Sequence, residues 1–146
     1  MNVNRDKIVL SLYDYTGEAL KPWAEAGYTC LAFDIQHDNT VTEVYGSGGS
    51  IKYVKADLHD YVTMVELRYT YKKLNVVFGM AFPVCTDMAV SGAAHFKRKA
   101  ELDPLFQTKA VEYAVLCAGL FNALGVPFFV ENPVSVLATK WRKPDH

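Results

Sequence analysis

Cysteine is scarce in this chain, and its scarcity argues against two kinds of site. The 146 residues include only three cysteines, Cys30, Cys85 and Cys117, which lie far apart and are odd in number. A disulfide framework needs pairs of cysteines, and a structural zinc site needs closely spaced ligands. Three distant thiols therefore predict a reduced, cytoplasmic protein.

A strong net charge and long apolar runs are also lacking. The formal net charge is −1, so no overall basic field predicts a nucleic-acid partner, which a local patch would have to hold. No apolar run reaches the roughly 20 residues of a membrane-spanning helix, and the N-terminal segment lacks the apolar core of a signal peptide. Hydrophobic residues make up 51% of the sequence, which predicts a single globular domain over residues 1–146.

Glycine is sparse in the first predicted turn, where a dinucleotide-binding protein would need it. That turn carries Gly17 alone and no G-x-G-x-x-G run, which disfavours a dinucleotide. Asp34, by contrast, has the distance from the first strand at which a carboxylate binds a ribose. Together these features favour a smaller adenosine ligand without a pyrophosphate, namely S-adenosylmethionine.

Apolar segments alternate with helical ones along the chain. Strands are predicted at 8–13, 28–33, 51–54, 75–81 and 126–130, and helices at 22–26, 61–67 and 103–124. Residues 40–50, with a glycine-rich tip, are predicted to be a surface loop. This alternation predicts an α/β fold, an open and mostly parallel sheet with helices on both faces.

Polar residues end most of these strands. Asp14, Asp34, Asp57, Cys85 and Glu131 each lie at or just beyond the carboxyl end of a predicted strand. Those ends share one edge of a parallel sheet, where ligands bind. Because a carboxylate that ends an apolar strand is costly without a partner, the five positions predict a site.

Cys85 lies on the loop after strand 75–81, and Pro83 stiffens the approach to it. A thiol held there is a nucleophile if its pKa is lowered. The loop motif alone equally allows a small apolar residue at a strand end. Cys117 lies on the apolar face of helix 103–124 and is predicted to be in the core.

These motifs together resemble the DNA cytosine-5 methyltransferases, in particular their short phage-encoded relatives, over nearly the whole chain. Pro83-Val84-Cys85 lies where the family has Pro-Pro-Cys, and Glu131-Asn132-Pro133 is similar to its Glu-Asn-Val. Residues 10–17, Leu-Ser-Leu-Tyr-Asp-Tyr-Thr-Gly, look like its first cofactor motif.

The resemblance implies a Rossmann-like S-adenosylmethionine-dependent methyltransferase fold, truncated after the fifth strand. In the usual strand order, the third predicted strand lies at one edge and the fifth lies next to strands that are missing here. The implied cofactor-binding residues are Asp14, Gly17, Asp34 for the ribose hydroxyls, Asp57 for the adenine amino group, and Pro83.

The resemblance also implies a reaction, transfer of a methyl group to C5 of cytosine in DNA. Cys85 matches the nucleophile that attacks C6 of a flipped-out cytosine, and Glu131 matches the residue that contacts the cytosine ring. Val84, Ser91 and Asn132 are the implied substrate-binding residues. For a phage-encoded protein, the implied compartment is the cytoplasm of the host cell.

A second function remains open at this point. The family's later strands and target-recognition region have no counterpart up to His146, so the chain is either an enzyme or a methyltransferase-like binding module. The module would act through a partner, or the chain would be one part of a split enzyme. An uncovered fifth strand predicts pairing with a second copy or with another chain.

The remaining basic and histidine positions allow two interpretations. Clusters at residues 95–99 and 140–143 either grip phosphates or form a solvated surface. A hydrolase dyad of Cys85 with His95 has no supporting motif. For the isolated His37 and His59, surface or loop positions are expected rather than metal binding.

Overall fold

The computed structural model of the protein describes residues 2–83 and 106–131. Its strands are β1 (Ile8–Leu12), β2 (Thr29–Asp34), β3 (Val41–Val44), β4 (Ser50–Lys55), β5 (Val76–Ala81) and β6 (Phe128–Val130). Its helices are α1 (Lys21–Glu25), which follows a short 3-10 turn, α2 (Tyr61–Lys72) and α3 (Phe106–Leu124). None of the helices in this part of the chain is long and apolar enough to cross a membrane.

The six strands form one sheet in the order β3-β4-β2-β1-β5-β6. Every neighbouring pair is parallel except β3 with β4. From β1 the chain builds outward through β2 to β4, and then crosses back to place β5 on the other side of β1. The predicted α/β class with a mostly parallel sheet is therefore confirmed, and the architecture is compatible with a Rossmann-like fold.

The strand β3 corrects two expectations. Residues 40–50 were expected to be a loop, but Val41 pairs with Tyr53 and Val44 with Ser50 in an antiparallel hairpin. The turn is closed where the Tyr45 N–H donates to the Gly49 carbonyl at 2.9 Å. Because β3 covers the outer side of β4, the expectation that the third predicted strand forms an edge is also wrong.

Helices cover both faces of the sheet. On one face α2 and α3 pack over β1 and β2, in a cluster that includes Leu10, Leu12, Leu31, Phe33, Met64, Cys117 and Phe121. On the other face the α1 region packs over a second cluster that includes Val9, Leu20, Ala24, Cys30, Ile51 and Met80. The core position predicted for Cys117 is confirmed, since its side chain is fully buried.

The ends of the helices follow local chemistry. Asp60 caps α2 as expected, accepting from the Val62 N–H at 3.3 Å, but the helix runs to Lys72 rather than residue 67. The helix α3 ends just before Gly125, whose φ of 70° suits a glycine, as expected. The predicted start of α3 at Asp103 lies outside the described residues.

Candidate functional site

A cleft opens at the carboxyl edge of the sheet, where β1, β2, β4 and β5 end. Its volume is about 380 Å³, within the range of small-molecule sites. The described residues that line it are Tyr13, Tyr15, Asp34, Ile35, Gln36, Ala56, Asp57, Leu58, His59, Phe82 and Pro83. The cleft lies beside the point where the strand order reverses between β1 and β5, which is where open α/β sheets bind ligands.

Asp34 is the buried carboxylate of this cleft. It is the last residue of β2, and only 7% of it is exposed. One carboxylate oxygen accepts the Gln36 N–H at 2.8 Å. The other oxygen has no hydrogen bond to any described residue, and a carboxylate oxygen can accept one from a ligand that enters the cleft.

Asp57 lies across the cleft, on the loop after β4. Its side chain is exposed, and one carboxylate oxygen accepts the backbone N–H of His59 at 3.0 Å. The two loops are tied together at their base, because the Ala56 N–H donates to the Asp34 carbonyl at 3.2 Å. Pro83, fully buried beyond β5, forms part of a third wall. The structure thus brings together three of the predicted cofactor residues, Asp34, Asp57 and Pro83.

Asp14 and Gly17, the other two, lie behind the cleft rather than in its wall. The Asp14 carboxylate accepts the Gly17 N–H at 2.8 Å and the Ser11 hydroxyl at 2.7 Å, so both oxygens are used by β1 and the loop that follows it. Gly17 has a φ of 72°, and a Cβ there would lie 2.5 Å from the Tyr53 hydroxyl. These two residues shape the loop and do not contact the space inside it.

Aromatic rings form the wall nearest α3. Tyr13 has a φ of 57°, unusual for a residue with a side chain, and its hydroxyl is buried with no hydrogen-bond partner in the described residues. Burial, together with Cys117, raises the pKa of Tyr13 far above its usual range, so the hydroxyl stays protonated. His59 stacks on Tyr113 with ring centroids 3.7 Å apart, which joins α3 to the rim.

The charged side chains among the described lining residues are acidic. Two carboxylates line the cleft, and none of the eleven lining residues in the described part of the chain is lysine or arginine. Within residues 2–83 and 106–131, no group of three or more His, Cys, Asp and Glu side chains could hold a metal ion. The cleft therefore favours a neutral or cationic ligand with hydroxyl or amino donors.

Comparison of the chain with protein-family models gives no match, and comparison with curated proteins gives none either. The function has to be argued from the residues and the geometry of the cleft.

Four predicted site residues, Val84, Cys85, Ser91 and Asn132, lie outside the described residues, as do the basic clusters at 95–99 and 140–143. Glu131 is exposed just after β6, where its N–H donates to the Ala81 carbonyl at 2.9 Å. It lies at the same sheet edge as the cleft but is not part of the lining.

The other two cysteines are unsuited to nucleophilic chemistry. Cys30 and Cys117 are fully buried, on opposite faces of the sheet. Burial raises the pKa of each thiol to about 12, so neither forms a thiolate near neutral pH. Cys85 is the one candidate nucleophile left among the three cysteines.

Several lining residues escaped the sequence prediction. Ile35 and Leu58 directly follow the predicted carboxylates, and Phe82 precedes Pro83, so strand-end neighbours were the available signal. His37 was expected at the surface or in a loop. It does lie in the loop after β2, but only 5% of it is exposed, because contacts from two other segments enclose it.

Proposed function

We propose that the cleft binds the adenosine part of S-adenosylmethionine. The observation that carries this proposal is the Asp34 carboxylate, buried at the end of β2 with one oxygen unpaired among the described residues. A buried carboxylate is costly unless its oxygens find donors. The hydroxyl groups of a ribose are donors of the right kind at this position of a parallel sheet.

The charge of the cleft selects among adenosine ligands. ATP and dinucleotides carry phosphates, which are repelled by the carboxylates of Asp34 and Asp57 and meet no lysine or arginine among the described lining residues. S-adenosylmethionine has no phosphate, and its sulfonium is positively charged. Among these adenosine ligands it best fits the acidic lining of the cleft.

The other lining residues fit the adenine ring. Ile35, Leu58 and Phe82 provide apolar surface for a flat ring, and Asp57 offers an exposed carboxylate that accepts from an amino group. In this arrangement Asp34 accepts from the ribose hydroxyls, and Asp57 accepts from the amino group of adenine. The apolar side chains exclude water from the faces of the adenine ring.

We further propose that the reaction is methylation of cytosine at C5 in DNA, on the strength of the resemblance to the cytosine-5 methyltransferases. When bound, S-adenosylmethionine supplies an electrophilic methyl group. The Cys85 thiolate forms a bond to C6 of the cytosine, with Glu131 favouring the attack at the ring, and the electron pair displaced makes C5 nucleophilic. C5 would take the methyl group, with the thioether S-adenosylhomocysteine as the leaving group. A base then removes the C5 proton, and the bond between sulfur and C6 breaks as the ring regains its double bond.

A binding module is the second candidate. The position of Glu131 outside the cleft lining favours it, because a ligand could occupy the cleft without any reaction. Such a module would bind the same adenosine ligand and act through a partner. Methyl transfer separates the two candidates, whereas ligand binding tests the cleft in both.

S-Adenosylhomocysteine is expected to raise the melting temperature of the protein, because it binds only the folded state. At about 100 times its dissociation constant the rise should be about 5–10 °C for a chain of this size. ATP at the same concentration should give no rise. Differential scanning fluorimetry measures both.

Asp34→Asn is expected to abolish this rise, because the asparagine amide has one acceptor oxygen where the carboxylate has two. The backbone N–H of Gln36 and the ligand would then compete for that oxygen. Asp60→Asn is the matched control, since Asp60 caps α2 outside the cleft lining. It should leave the ligand-induced rise intact. Equal rises with S-adenosylhomocysteine and ATP, or an unchanged rise in Asp34→Asn, would contradict the proposal.

We also propose that the outer side of β6 pairs with a second copy of the chain. No described strand lies beyond β6, and Phe129 on this strand is 43% exposed. An exposed apolar edge strand is a site of pairing between chains. A twofold axis perpendicular to the sheet at this edge would pair the two β6 strands antiparallel and extend the sheet across two copies.

Light scattering is expected to give the mass of a dimer for the wild-type protein, and Phe129→Lys is expected to give the 16.3 kDa monomer. Val65→Lys is the control, because Val65 is similarly exposed, at 45%, but lies on α2. A wild-type monomer at high concentration would show that the β6 edge needs no second copy.

A further inference from the structure

The imidazole of His37 is enclosed between three segments of the chain. Its ring stacks on Tyr15, with centroids 5.5 Å apart and planes 18° apart. On another side it meets Tyr53 of β4 edge to face, with centroids 5.4 Å apart. The ring Nε2 donates to the Asp14 carbonyl at 3.2 Å, and the backbone N–H of His37 donates to the Asp34 carbonyl at 3.4 Å.

These contacts require both a donor and a flat ring. A carbonyl oxygen only accepts, so Nε2 must carry the hydrogen in this bond. Glutamine could replace the donor but not the stacked ring, and phenylalanine could replace the ring but not the donor. Histidine supplies both at a position where only 5% of it reaches solvent.

The partners of His37 belong to the cleft or to its support. Tyr15 lines the cleft, and Asp14 holds the turn at Gly17 through its carboxylate. Tyr53 packs against Gly17 of the loop after β1, and its hydroxyl donates to the carboxylate of Glu43 on β3. His37 itself follows Asp34 by three residues, so it connects the loop after β1 to the end of β2, which carries the buried carboxylate.

We propose that His37 is the positioning residue of the adenosine cleft, where it holds the loop after β1 against the loop after β2 so that Tyr15 and Asp34 face one ligand. This inference rests on the proposed function of the cleft. His37 does not line the cleft and acts through Asp14 and Tyr15. Its removal should loosen the loops without unfolding the sheet.

Amide hydrogen exchange of the free protein tests the connection without any ligand. In His37→Phe, the amides of Gly17 and Gln36, which bond the carboxylates of Asp14 and Asp34, should exchange at least about tenfold faster. Amides within β1 and β5, such as Val9 and Met80, should keep their protection. Unchanged exchange at Gly17 and Gln36 would overturn the proposal, as would an equal loss of protection throughout the sheet.

Calorimetric titration with S-adenosylhomocysteine then tests the consequence for the ligand. His37→Phe should weaken binding about tenfold, because the Asp14 carbonyl loses a buried donor. His37→Gln, which restores a donor, should recover binding to within about threefold. Equal weakening in both variants would overturn the role assigned to the hydrogen bond.

The two measurements separate failure of the inference from failure of the proposed function. If the wild type does not bind S-adenosylhomocysteine while exchange at Gly17 and Gln36 still increases in His37→Phe, the loops are connected but the cleft is not an adenosine site. That outcome overturns the proposed function and the positioning role together. If the wild type binds and His37→Phe binds equally well, only the inference of this section fails.

Discussion

Replacement of Cys85 by serine is expected to reduce methyl transfer to cytosine below detection while leaving ligand binding unchanged. The reaction needs a thiolate to attack C6, and a serine hydroxyl is not ionised near neutral pH. Transfer of a tritiated methyl group from S-adenosylmethionine to unmethylated DNA measures the activity. The rise in melting temperature with S-adenosylhomocysteine reports the cleft independently.

Cys30→Ala and Cys117→Ala are the matched controls for this experiment. Both thiols are buried and have a pKa of about 12, so their removal costs stability but no nucleophile. Each control variant that still folds should retain transfer. Loss of transfer in a folded Cys30→Ala variant, with Cys85 intact, would mean that Cys85 is not the sole thiol required.

DNA that contains 5-fluorocytosine should trap the attacking thiol. Fluorine at C5 cannot leave as a proton does, so the bond between Cys85 and C6 should persist as a covalent complex. The complex should form only with S-adenosylmethionine present and should be absent in Cys85→Ser. No complex in the wild type, with ligand binding intact, would favour the binding module over the enzyme.

The positions of the carboxylates were predictable because they depend on local pattern. An apolar run that ends in Asp34 or at Asp57 marks a strand end, and parallel strands place those ends along one edge. The contacts of His37 were not predictable in this way. Its partners Tyr15 and Tyr53 come from separate segments, and only the folded sheet brings them together.

Strand β3 and the end of helix α2 could not be predicted because their side chains carry little local pattern. All four side chains of Val41–Val44 are exposed, so no alternation of burial marks this strand in the sequence. In α2, the apolar residues Val62, Val65 and Tyr69 face solvent, which obscures the helical periodicity beyond residue 67. Backbone pairing and the cap at Asp60, rather than side-chain pattern, define these two elements.

Gly79→Ala and Gly119→Ala are expected to change the free energy of unfolding in opposite directions. Gly79 lies in β5, and a Cβ at this position would overlap the ring of Phe121, which is itself fully buried. Overpacking of this kind should lower the free energy of unfolding by about 1–3 kcal/mol. Gly119 lies in α3, and no atom of the described residues is within 4 Å of its Cβ position, so alanine there should raise the free energy of unfolding by about 0.4–1 kcal/mol.

Urea unfolding of the two variants measures both changes, and a double variant identifies the cause. If the ring of Phe121 is the obstacle, Gly79→Ala should cost less in a Phe121→Leu background than in the wild type, with a coupling energy of at least about 0.5 kcal/mol. The displaced strand β5 leads directly to Phe82 and Pro83 of the cleft. Gly79→Ala should therefore also weaken the response to S-adenosylhomocysteine, which Gly119→Ala should not. Additive costs in the double variant would show that the ring moves aside freely and that β5 tolerates a side chain at Gly79.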